Sequence, residues 1–143
     1  MLIDHNITTT EALILGKFME WTASEAQFNI KVLQITNCNL TDLQLSYLLK
    51  GVASQHKIIS LNLAIVELDH LSLEPLLQIL SRKYAKSLQE LSIVGLKKVP
   101  SEILTQLFEH IHKNGSLSKF TFSQTTTLKN QVDHICDYFE RVS

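Results

Sequence analysis

Only four glycines and two prolines interrupt the 143 residues, which is too little glycine for a phosphate-cradling loop. Two cysteines, Cys38 and Cys136, exclude a disulfide framework and leave too few thiols for a zinc cluster. Charge of one sign is equally lacking. Thirteen Lys and Arg oppose fourteen Asp and Glu, so no net field favours nucleic acid or an anionic membrane. No apolar run reaches the roughly 18 residues of a membrane span. Met1-Leu2-Ile3-Asp4-His5-Asn6 has no basic flank followed by an apolar core, so no secretory signal is read there. A reducing, cytoplasmic setting is the expectation. What is present is a 45% hydrophobic, 19% charged chain, enough to bury the core of one domain and incompatible with disorder.

Leucine supplies 24 of the residues, and its spacing is periodic. Ile30, Leu33, Ile35, Cys38 and Leu40 occupy steps 1, 4, 6, 9 and 11 of a template. Ile58, Leu61, Leu63, Val66 and Leu68 repeat it. Leu88, Leu91, Ile93 and Leu96 follow, with Val99 one residue late; so do Leu117, Phe120, Phe122 and Thr125, with Leu128 one late. The starts lie 28, 30 and 29 residues apart, and a fixed period of this length marks a stacked-repeat architecture. Leu2, His5, Asn6, Ile7 and Thr8 align with Ile35, Cys38, Asn39, Leu40 and Thr41, which adds a partial repeat at the beginning.

The L-x-x-L-x-L-x-x-N/C-x-L spacing of these residues resembles the leucine-rich-repeat family, and the long period resembles its ribonuclease-inhibitor-like subtype. The resemblance implies an α/β solenoid, with parallel strands on a concave face and helices on a convex one. The whole chain then forms one domain of one partial and four full repeats. Residues 1–29 make the partial repeat with a long helix; 30–57, 58–87 and 88–116 are full repeats; 117–143 hold the last repeat and a capping helix. A doubly wound enzyme domain also alternates strands and helices, but it does not repeat L-x-x-L-x-L at constant spacing.

The intervening segments independently read as helices. Thr8 and Glu11 have capping-box spacing before a helix over residues 10–26, with Ile14, Phe18 and Trp21 on one face. Thr41 or Asp42 caps a helix that aligns Leu45, Leu48, Leu49 and Val52. Ser72 precedes a helix with Pro75 in its first turn, followed by Leu76, Leu77, Ile79 and Leu80. Pro100 leads into Ile103, Leu104, Leu107, Phe108 and Ile111, ended by Asn114-Gly115, residues that tolerate left-handed geometry. Val132, Ile135, Cys136 and Phe139 share a face of a last helix over 130–142. A solenoid needs a covered end, so the opening suggests either a longer array or an edge covered by a partner.

No catalytic, cofactor or metal site is expected. His110 and His112 point about 200° apart on one helix, and His5, His56, His70 and His134 lie in different repeats. Asp69, His70 and Ser72 have the residue types of a hydrolase triad without its nucleophile elbow. Lys97-Lys98 and Arg82-Lys83 lack interleaved aromatics and read as solvated surface. Cys38 reads as a buried weak donor in its turn, about three strands or on the order of 15 Å from Cys136. The sequons at Asn6, Asn39 and Asn114 read as turn and cap residues.

The alternation within each strand assigns a partner-binding face instead. It comprises Val32, Gln34 and Thr36; Ser60, Asn62 and Ala64; Glu90, Ser92 and Val94; and Lys119, Thr121 and Ser123. Its central column, Gln34, Asn62, Ser92 and Thr121, is neutral and hydrogen-bonding. The function expected is a non-catalytic protein–protein interaction module, a scaffold or adaptor subunit of a larger assembly that binds a protein partner on this face. The family's long repeats serve inhibitors, innate-immune sensors, actin-filament regulators of the tropomodulin type, ciliary scaffolds and activators of small GTPases. A second reading is therefore a GTPase-activating or regulatory domain resembling the Ran GTPase-activating protein, although Arg82 and Arg141, the only arginines, fall on predicted helices. A third, motivated by the sequons, is an extracellular recognition repeat.

Overall fold

The computed structural model describes residues 1–25, 27, 30–36, 38–55, 57–64, 66–81, 88–97, 99–114 and 117–124. Strands and helices alternate strictly: β1 (Leu2–Ile3), α1 (Thr9–Thr22), β2 (Val32–Ile35), α2 (Asp42–Ser54), β3 (Ser60–Ala64), α3 (His70–Leu80), β4 (Glu90–Leu96), α4 (Ser101–Lys113) and β5 (Lys119–Gln124). The five strands form one all-parallel sheet in sequence order. One side chain in two along each strand enters the core. Leu33, Ile35, Leu61, Leu63, Leu91 and Ile93 are buried there against Leu45, Leu48, Leu49, Leu76, Ile103 and Leu107 of the helices. This is the α/β solenoid that the repeat implied, and burial of the leucine rows is its main stabilisation.

Capping residues set where each helix starts. Thr8 and Thr41 both form full capping boxes, with Glu11 and Gln44. The third helix starts earlier than its sequence suggests: Asp69 is the cap, His70 the first residue, and Pro75 falls in the second turn rather than the first. An acidic cap aimed at His70 N–H, at 2.8 Å, competes successfully with Ser72 for that role. α4 ends at Asn114 as the sequence suggests, with φ −78° there, and Gly115 lies outside the described residues. The Asn114 side chain ties two repeats together, donating to Leu80 O at 2.7 Å and accepting from Leu117 N–H at 3.0 Å. The helix predicted over 130–142 lies outside the described residues.

Two further expectations are corrected at the first repeat. The repeat template aligns Leu2 with Ile35, but Ile3 pairs with Ile35 and Leu2 with Gln34. The turn after β1 is one residue shorter than the turn after β2. A one-residue slip inverts the faces of a strand, so Ile3 is buried and Leu2 stands on the open side. The helix over 10–26 is in fact Thr9–Thr22, and the face shared by Ile14, Phe18 and Trp21 is its exposed one. Its buried face is Ala12, Gly16, Met19 and Thr22. Gly16 makes that choice possible: a Cβ there would lie 2.2 Å from Tyr47 O, and one on Gly51 2.7 Å from Gly16 O. The two helices cross backbone to backbone.

The turns vary as the lost Asn ladder suggested. After β2 the single S–H of Cys38 has three carbonyls within reach, those of His5 (2.9 Å), Thr36 (3.1 Å) and Ile3 (3.5 Å), and Asn39 takes φ 50°. In the next two repeats buried Val66 and Leu96 replace it. There the backbone closes the turn itself, through Glu67 N–H to Leu40 O and Lys97 N–H to Val66 O, both 3.0 Å. At the far end Phe108 of α4 meets Phe120 and Phe122 of β5 edge to face, at 5.9 and 5.3 Å between centroids.

Candidate interaction surface

Strand pairing arranges the sheet face opposite the helices into columns. Gln34 stands beside Asn62, Asn62 beside Ser92 and Ser92 beside Thr121. The central column therefore has the register read from the repeat, and Leu2 extends it by one step. Successive members are about 4.8 Å apart, the spacing of the backbone ladder. A second column runs Val32, Ser60, Glu90, Lys119, and Ala64 lies beside Val94.

The twelve predicted residues are not equally available. Val32, Gln34, Glu90, Val94, Lys119, Thr121 and Ser123 are exposed, whereas Thr36, Asn62, Ala64 and Ser92 are half-buried. Ser60 is buried at 7% exposure; its hydroxyl donates to Glu90 Oε2 at 3.4 Å and accepts from Asn62 Nδ2 at 3.3 Å. Its neighbours on the adjoining columns cover a side chain this short. Thr36 is engaged by Asp4, at 2.8 Å, and the Ser123 hydroxyl receives Gly95 N–H at 3.2 Å. What remains open is a neutral surface with apolar ground at Leu2 (61% exposed) and Val32 (43%), and one acid and one base side by side at Glu90 and Lys119.

Leu2 is the residue that sequence reasoning missed, because the template alignment had placed it in the core. The signal available was the adjacent Ile3, equally apolar and one step away. The Met1 amino group holds the strand in place by donating to Val32 O at 2.6 Å.

The chemically suggestive clusters have structural occupations. Ser72 is fully buried, and its hydroxyl donates to Asp42 Oδ1 rather than facing His70. Asp69 accepts from the N-terminus of α3, and His70 Nε2 stands 3.6 Å from its carboxylate. His110 Nδ1 contacts Gln106 O at 2.9 Å. Among the described residues no three His, Cys, Asp or Glu side chains converge as metal ligands. Burial pushes the Cys38 thiol up from its ordinary range, an effect reinforced by the Asp4 charge and partly countered by a backbone hydrogen bond of His5. Asn39 is exposed, and its Oδ1 accepts from Lys97 Nζ. Arg82, Lys83, Lys98, His56, His134, Cys136, Thr125, Leu128 and Arg141 lie outside the described residues.

On the helix side, a groove of about 410 Å³ runs between α3 and α4, lined by His70, Leu73, Glu74, Leu77, Gln78, Ser81 and Gln106. Among the described residues no helix is long and apolar enough to cross a membrane.

No protein-family model and no curated protein sequence matches the chain. A solved structure of leiomodin-1 actin-binding site 2 superposes on it with a TM-score of 0.61. The likeness covers 94% of this chain and 73% of that one at 15% sequence identity. Identity this low carries the fold and no more: a leucine-rich-repeat-like α/β solenoid.

Proposed function

We propose that the chain is a non-catalytic protein-interaction module, a scaffold or adaptor subunit that takes a protein partner on the open face of its sheet. The observation that carries this reading is the column Leu2, Gln34, Asn62, Ser92 and Thr121, evenly spaced and uncharged. Such a surface costs little to desolvate and offers hydrogen-bonding groups on β2 to β5, with Leu2 and Val32 as apolar ground at one corner. The 28–30-residue period supports the ribonuclease-inhibitor-like subtype. A reducing, cytoplasmic setting fits the free thiol of Cys38, which is buried and within reach of three backbone carbonyls. Because the leiomodin-1 structure is named for an actin-binding site, actin is the first partner to test.

The test is binding of immobilised chain to monomeric and filamentous actin and to proteins of a cell extract, with cross-links mapped onto the chain. Asn62→Arg combined with Ser92→Arg should abolish capture while leaving the thermal melt unchanged. Capture that survives this pair, with cross-links confined to the helices, overturns the open-face assignment. Accelerated GTP hydrolysis by a small GTPase would overturn its non-catalytic part.

A further inference from the structure

Asn114 is the C-cap of α4, and its amide nitrogen donates to the carbonyl of Leu80, the last residue of α3, at 2.7 Å. The last carbonyls of a helix have no intrahelical donor, so this bond finishes α3 from the next repeat. The amide oxygen accepts from Leu117 N–H at 3.0 Å, which draws the approach to β5 to the same point. A groove of about 410 Å³ runs between α3 and α4, and the Asn114 tie joins the two helices across their C-terminal ends. Gly115 follows. Asn114-Gly115 is the one Asn-Gly pair in the sequence, and each of the other six asparagines precedes a residue with a side chain.

We infer that Asn114 is a self-modifying site, whose amide is converted by water to aspartate or isoaspartate and whose conversion releases α3 from α4. The chemistry uses only the chain and water. The Gly115 nitrogen, unhindered by any Cβ, attacks Asn114 Cγ. A C–N bond forms, the Cγ–Nδ2 bond breaks, and ammonia leaves with the proton that the Gly115 nitrogen gives up. Water then opens the resulting succinimide ring at either of its carbonyls. Opening at one leaves aspartate; opening at the other leaves isoaspartate, with the backbone routed through Cβ and Cγ. The balance is one water consumed for each ammonia released.

The fold restrains the first step, because ring closure expels the nitrogen bonded to Leu80 O and turns the side chain back on its own backbone. Both bonds of the amide must open beforehand, so the rate follows local opening of this joint. The product does not close it again. A carboxylate has no donor for Leu80 O, and it sets negative charge beside that carbonyl and at the C-terminal ends of both helices, where the helix dipoles already concentrate negative charge. His112 and Lys113 are exposed and His110 Nδ1 contacts Gln106 O, so the bases in the last turn of α4 offset only part of it.

The test is peptide mapping by mass spectrometry of the native chain after incubation at neutral pH, both folded and in urea. Conversion should appear at Asn114 ahead of the other asparagines, as a mixture of aspartate and isoaspartate, and at least about 10-fold more slowly in the folded chain. Gly115→Ala should slow it in urea, where folding plays no part. Asn114→Asp should lower the melting temperature by roughly 5 °C, and by more than Asn114→Ala, which loses the bond without gaining the charge. Amide hydrogen exchange in Asn114→Asp should quicken at the C-terminal turns of α3 and α4 and stay native across β2 and β3. Equal conversion rates folded and in urea, no preference for Asn114 over the other asparagines, or an Asn114→Asp chain that melts and exchanges like the native one would each overturn the proposal.

Discussion

Asp42 opens α2, yet its carboxylate serves the helix of the next repeat, accepting from the backbone N–H groups of Asp69 (3.0 Å), Leu71 (3.2 Å) and Ser72 (3.0 Å) and from the Ser72 hydroxyl. A helix start leaves its first N–H groups without intrahelical partners and carries a partial positive charge, so an anion there satisfies both at once. Since the acceptor comes from the preceding repeat, the contact also fixes the stacking of α3 on α2. Asp42→Ala should cost about 2–3 kcal/mol, or roughly 6–12 °C in melting temperature, because three backbone donors lose a charged acceptor. Asp42→Asn, which keeps one acceptor oxygen, should lose about half of that. Urea denaturation of the two variants checks the order.

The contact between Gly16 and Tyr47 sets how closely α1 and α2 approach. In an isolated helix Gly→Ala would stabilise by about 1 kcal/mol. Here the added carbon would sit 2.2 Å from a backbone oxygen that no rotamer change can move aside. Overpacking of that kind outweighs the propensity gain, and Gly16→Ala should destabilise by about 2 kcal/mol net. Equilibrium unfolding in urea measures it; a stabilised variant would mean that the helices separate freely.

The repeat period and the identity of the buried rows were legible because both depend on residue type at fixed spacing. Leu33, Ile35, Leu61, Leu63, Leu91 and Ile93 all lie where the template put them. Contacts between repeats were not legible. Asp42 looks like a local cap competing with Thr41, and only three-dimensional stacking shows that it belongs to α3. Gly16 reads as a weak point in a helix until Tyr47 is seen against it. The spacing of Ile14, Phe18 and Trp21 puts them on one face, but periodicity alone does not say whether a face turns inward or outward. The open-face column was readable through strand alternation, while the burial of Ser60 depends on the length of its neighbours Asn62 and Glu90.

Leu2 and Ile3 differ by one step along β1 and by the whole thickness of the sheet. Ile3→Ala should cost about 2–4 kcal/mol, as for a buried aliphatic residue whose cavity cannot collapse. Leu2→Ala should stay within about 0.5 kcal/mol. The reverse order in thermal melts would mean that β1 pairs one residue out of the register seen here. Partner binding should show the opposite sensitivity, since only Leu2 reaches the open face.

Cys38 gives the fold a dependence on alkaline pH. The thiol is 2% exposed and its folded pKa is raised above the ordinary 9.0, chiefly by burial. A raised folded pKa means that the neutral form is favoured by folding. The contribution is fully present below the unfolded pKa and is lost as pH rises through the folded one. Stability of the native chain should therefore fall as the pH rises above about 9 more steeply than that of Cys38→Ala, in which this group is missing. The variant itself should be less stable at neutral pH by about 1–2 kcal/mol, having lost a packed side chain and its bonds to the turn carbonyls. Urea denaturation of both proteins across the pH series separates the two effects: the offset measures the packing, and the difference in slope measures the thiol. Parallel curves would show that Cys38 ionises as easily folded as unfolded, and that its burial in the turn is looser than the three carbonyl contacts imply.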